Sequence, residues 1–170
     1  VPRSAARPLR YMDRYVLTNQ GTVFYMTEAL AQLEGIERGP AGNTSLAAAF
    51  KIAQELDKDK MIVVQETEYT GAGKHIQPQL AFAKENGIKV LIGDPTEEVP
   101  GENIILPKDP SYIAIEDIEL DNTKKSYIRN CVKNSKVEKV TEGDIYFLIE
   151  DTKSNRKFVV EVLDGLGVEY

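Results

Sequence analysis

The sequence predicts an α/β protein built on a parallel sheet, and three observations carry that reading. Short β-branched runs such as Met61-Ile62-Val63-Val64 are too short for buried helices. Between them lie stretches with apolar residues three and four apart, the spacing of a helix with one buried stripe. Strand and helix alternate at short intervals, which is the order of a doubly wound parallel sheet.

Residues 14–19 read as the first strand, with Gly21 marking the turn out of it. Residues 22–34 follow as a helix on Val23, Met26, Leu30 and Leu33, and Gly35 is its expected stop. Three glycines and a proline break the chain over residues 35–43. A second helix over residues 44–57 carries Leu46, Ala49, Phe50, Ala53 and Leu56 on one stripe, and its small residues suit close packing on a sheet. Residues 61–66 are expected to be the clearest buried strand, ending in a loop over residues 67–73. Pro78 fits the first turn of a helix over residues 76–86, Gly87 ends it, and residues 88–92 form the next strand.

Composition changes at Gly93. Four prolines between Pro95 and Pro110 predict an extended surface segment. Three short helices follow, over residues 122–133, 141–151 and 155–166, with Thr141 and Asp144 spaced as a capping box. The expected organisation is a catalytic-domain portion over residues 1–94, an extended linker over 95–120 and a helical extension over 121–170.

The 170 residues carry a net charge of −6 and 42% apolar residues, so the composition is that of an ordinary globular protein. An acidic chain lacks the basic face that neutralises phosphates, which argues against nucleic acid as a partner. The longest apolar runs are far below the ~20 residues of a membrane span. With a lone cysteine, Cys131, and a lone histidine, His75, neither a metal site nor a Ser or Cys triad is expected. Cysteine usage suits the cytoplasm. Val1 in the first position predicts a natural start further upstream.

Two glycine-containing loops stand where ligands of parallel sheets bind, beyond the carboxyl ends of strands. The first is Gly39-Pro40-Ala41-Gly42-Asn43-Thr44-Ser45, whose hydroxyls suit either a helix cap or an anion. The second is Thr70-Gly71-Ala72-Gly73-Lys74-His75. It departs from a triphosphate-binding loop because no Ser or Thr follows Gly73-Lys74.

Taken together, Glu34-Gly35-Ile36, Gly39-Pro40-Ala41-Gly42, the Ala-rich helix, Ile62-Val63-Val64 and Thr70-Gly71-Ala72-Gly73 resemble the later part of the large domain of fold type II pyridoxal-phosphate enzymes, the tryptophan synthase beta-like group. Residues 15–30, 34–45, 68–75 and the C-terminal helices are similar, within that group, to thiolase subunits of ornithine fermentation. The resemblance implies that Thr70 contacts the pyridine nitrogen, that Gly71 and Gly73 allow close approach, and that Gly39, Pro40 and Thr44 line the ring. A neutral hydroxyl at that nitrogen moderates the electron sink.

The resemblance also implies an amino-acid substrate and coenzyme A, a small partner subunit and self-association. Gly39 stands where many members carry Glu. Neither a Schiff-base lysine motif nor a glycine-rich phosphate loop occurs here, so the lysine is expected upstream and the chain alone is expected to be inactive. Two alternatives stay open: a tryptophan- or threonine-synthase-like lyase, and a non-catalytic α/β module that binds a small anion or a partner.

Overall fold

The structure is a computed structural model that describes residues 9–66, 75–135 and 139–170. It divides into two compact units. One comprises Val16–Asp117, and the other joins Val1–Tyr15 to Ile118–Tyr170.

The first unit is α/β. The two-residue strand β1 (Val16–Leu17) pairs antiparallel with β4 (Glu116–Asp117). Helix α1 (Gln20–Glu34) begins earlier than its apolar spacing predicts and stops where Gly35 adopts φ 66°, its N–H donating to the Ala31 carbonyl. Helices α2 (Asn43–Ala53) and α3 (Gln77–Glu85) follow, and Gly87 at φ 81° lies just beyond the end of α3. Strand β2 (Lys89–Gly93) runs parallel to β3 (Asn103–Pro107), with Leu91 opposite Ile105. Phe24, Ile76, Ala83 and Ile104 form one core between these elements, and Val23, Met26, Ala47 and Ile113 form another.

Gly21 lies inside the first turn of α1, not in the turn before it. Its lack of a side chain serves a close approach: a Cβ there would stand 1.8 Å from the Ile105 carbonyl oxygen of β3. The Glu98 carboxylate completes the joint. It accepts from the N–H groups of Gln20, Gly21 and Ile105, at 2.9, 3.0 and 3.0 Å. One side chain thus covers the open amides of a helix start and blunts the outer edge of β3.

Two sequence expectations fail in this unit. Residues 95–117, expected within an extended linker, carry β3, whose Ile104 and Ile105 are buried, and two 3-10 turns, Pro95–Glu97 and Pro110–Tyr112. The prolines initiate those turns. Asp94 and Asp109 each precede one and accept from the hydroxyl and then the backbone N–H of the residue two on, Thr96 and Ser111, which holds both carboxyls below their usual range. Residues 61–66 form no strand among the described residues. They carry no assigned secondary structure, no described strand pairs with them, and Met61 and Val63 are each 89% exposed.

The second unit is helical: α4 (Asp121–Ser135), α5 (Glu142–Thr152) and α6 (Arg156–Asp164). Tyr127, Ile128, Val140, Ile145, Leu148, Val159, Val162 and Leu163 form its core, with Cys131 packed at the margin. Thr141 and Asp144 make the expected reciprocal capping box, and Asn155 caps α6 through Phe158 N–H. The segment before β1 belongs to this unit. Arg10 reaches Asp151 at 3.0 Å, Tyr127 donates to the same carboxylate at 2.7 Å, and Lys153 pairs with Asp13. Burial, with Cys131 and Asp151 nearby, pushes the Tyr127 hydroxyl well above the usual phenol range. No helix among the described residues is long and apolar enough to cross a membrane.

Candidate functional site

The described part of the candidate site is the turn that leads from α1 into α2. Gly39, Pro40, Gly42 and Asn43 are buried, whereas Thr44 faces solvent. Buried Gly39 and Pro40 let the chain fold tightly under the helix start. Neither Thr44 nor Ser45 caps α2: the capping position is Gly42, which has no side chain to accept the first amides. The Ser45 hydroxyl instead lies 2.9 Å from the carbonyls of both Gly42 and Gln65, and donates its single proton to one of them at a time. The contact with Gln65 ties the turn to the 61–66 segment.

Asn43 organises the turn, and the spacing of glycines gave no sign of it. It is completely buried, and its amide nitrogen lies 3.1 Å from Thr27 Oγ1, 3.2 Å from the Gly39 carbonyl and 3.4 Å from the Arg38 carbonyl. Thr27 spends its own proton on the Val23 carbonyl at 2.8 Å, so it accepts from Asn43. These neighbours fix which way the amide faces, because two carbonyls and a committed hydroxyl admit only a donor. Asn43 Oδ1 is left buried with no hydrogen-bond partner among the described residues. An unmet acceptor of this kind costs about 1–3 kcal/mol.

Glu66 is the second acceptor group without a donor. Both carboxylate oxygens are shut from water and have no hydrogen-bond partner among the described residues. Desolvation holds its carboxyl above the usual value, partly offset by the nearby Arg38 charge. Asn43 and Glu66 therefore flank the Ser45 to Gln65 tie with three oxygens that lack donors.

Of the residues singled out from sequence, Thr70, Gly71 and Gly73 lie outside the described residues, as does Lys74. His75 is exposed. Lys51, the lysine of α2, sits 3.7 Å from Glu55 one turn on. Among the described residues no cluster of His, Cys, Asp and Glu is arranged to hold a metal ion.

Comparison with known proteins bears on what this turn serves. The chain is 64% identical over 159 residues to the 2-amino-4-ketopentanoate thiolase beta subunit of Acetoanaerobium sticklandii, a match that covers 94% of the chain and 34% of that protein. A second protein of the same name, from an unknown prokaryotic organism, is 59% identical over 168 residues, covering 99% of the chain and 36% of that protein. The chain thus spans about a third of the length of the curated relatives it matches. No family profile and no solved structure matches it.

Proposed function

We propose that this chain is part of a 2-amino-4-ketopentanoate thiolase beta subunit, acting in amino-acid breakdown, that cleaves its substrate with coenzyme A to acetyl-CoA and alanine. The observation that carries the reading is the 64% identity over nearly the whole chain to a protein of that name. The name also supports a partner subunit, and it favours a thiolase over the lyase alternative.

We further propose pyridoxal phosphate as the cofactor. The described residues fit one wall of such a site. A tight turn of buried Gly39 and Pro40 and an unmet acceptor on Asn43 suit a polar ligand group that brings its own donor. They do not include a complete site, since Lys51 is paired with Glu55 and the proposed Schiff-base lysine belongs to polypeptide that the relatives carry beyond the aligned third. When bound, pyridoxal phosphate would supply an electron sink, conjugated through the amino-bearing carbon, for the electron pair left on the adjacent CH2 carbon when the acetyl group passes to coenzyme A.

On this reading the chain's own residues orient and exclude water. Gly39, Pro40 and Thr44 would hold one side of the cofactor, and Thr70, Gly71 and Gly73, which lie outside the described residues, would hold the ring as the resemblance implies. Asn43 holds the turn through its three contacts.

The test is a chimera in which this chain replaces the aligned third of the Acetoanaerobium sticklandii protein, supplied with that organism's partner subunit. Formation of alanine and acetyl-CoA at rates within tenfold of the parent is the expected result. A folded chimera with cofactor bound and no turnover would contradict the reading.

A further inference from the structure

The segment over residues 61–66 has a period-two burial pattern. Ile62, Val64 and Glu66 are half-buried, whereas Met61, Val63 and Gln65 are exposed. That alternation is the signature of a strand with one face seated. The other face carries a bare methionine and a bare valine, each 89% exposed.

Among the described residues no sheet ladder joins its backbone, and the Ser45 hydroxyl meets the Gln65 carbonyl. Three β-branched residues and a methionine are poor choices for a solvated loop. At the end of the run, the Glu66 oxygens are shut from water, with no donor among the described residues. Backbone, side chains and terminal carboxylate are each short of a partner on the same six residues.

We propose that residues 61–66 are an interior strand position that pairs with a β-strand from the polypeptide which the two relatives carry outside the aligned third. That material is about twice the length of this chain, ample to supply a strand and a layer over Met61 and Val63. Pairing gives the backbone its ladder, and the covering layer brings a donor to Glu66. The inference rests on the reading that this chain works within a longer subunit, and it does not depend on the chemistry of that subunit.

The experiment compares this chain alone with the chimera described above, by residue-resolved amide exchange over 61–66. It adds thiol labelling of Val63→Cys placed in a Cys131→Ser background. In the chimera the 61–66 amides are expected to slow by about 100-fold or more, as for local structure that opens only by sub-global unfolding, and labelling is expected to slow in parallel.

Exchange as fast in the chimera as in the chain alone overturns the inference, as does an insoluble chimera. Protection that grows with concentration of the chain alone also overturns it, because the occupant is then a second copy. An active chimera with open 61–66 amides refutes the strand and leaves the thiolase reading intact. A protected but inactive chimera does the reverse.

Discussion

The helical unit and the α/β unit solve the same problem with different completeness. In the helical unit three short helices surround a single contiguous core, two of the helix starts are capped by side chains, and Asp151 is shared by Arg10 and Tyr127. The α/β unit has two small clusters and a two-stranded parallel sheet, a form normally buried on both faces. It also leaves Leu33, Met61, Val63, Phe82 and Ile92 exposed. Scattered exposed apolar residues are ordinary, but a bare strand-like run is not. One unit has closed around its own side chains, and the other is built like a surface that expects a cover.

The contrast can be broken at either end. Leu163→Ala, at a position with no exposure, removes the centre of the helical core. It is expected to cost about 2–5 kcal/mol, read from faster amide exchange across α4–α6. A cost below about 1 kcal/mol would mean that this core is looser than its burial indicates.

In the α/β unit the comparable change is Gly21→Ala. Its new methyl group would collide with the Ile105 carbonyl. Overpacking against backbone that cannot step aside is expected to cost about 3 kcal/mol, measured by urea unfolding. An unchanged midpoint would show that α1 and β3 are not in contact as described.

Thr141→Ala removes the cap of α5 and is expected to cost about 1 kcal/mol. The capping box also has a pH signature. Asp144 is held below its ordinary value, first by the Thr141 hydroxyl and then by its amide. Its stabilisation is therefore present above pH 3.8 and lost as pH falls through the lowered value. The Thr141→Ala variant is expected to lose that dependence in an acid titration followed by helix signal.

Glu66→Gln has the smallest expected effect and the opposite sign. Because burial raises this carboxyl, the folded chain binds the proton more tightly than the unfolded one. Its contribution is complete below about pH 4.5 and is lost as pH rises through the raised value. The variant, neutral throughout, is expected to be slightly more stable than the parent at pH 7 and to have a flatter profile above pH 4.5. A variant less stable at pH 7 would show that the Glu66 charge is paired in solution.

Periodicity made the helices legible. Apolar spacing of three and four residues located α1 and α2, and Gly35, Gly87, Pro78, Thr141 and Asp144 stand at or near the helix ends they predict. Local rules failed where the deciding contact was remote. β3 was hidden because its prolines read as surface, whereas they start turns on either side of a buried Ile-Ile pair. Glu98 gave no local signal, since its partners Gln20 and Gly21 are more than seventy residues away.

Residues 61–66 show the converse. Their composition is that of a buried strand, and the segment has the alternation of one, yet strand formation needs a neighbour that these described residues do not provide. The candidate turn was legible through Gly39 and Pro40 as a tight bend. Asn43 was not, because an asparagine beside a glycine looks like any other turn residue until the carbonyls it faces are known.

The most direct measurement of the difference between the two units is residue-resolved amide exchange on this chain alone. The account predicts slow exchange at Val159, Val162 and Leu163 and near-free exchange across 61–66. Protection of 61–66 equal to that of α6, in a dilute and monomeric sample, would contradict it.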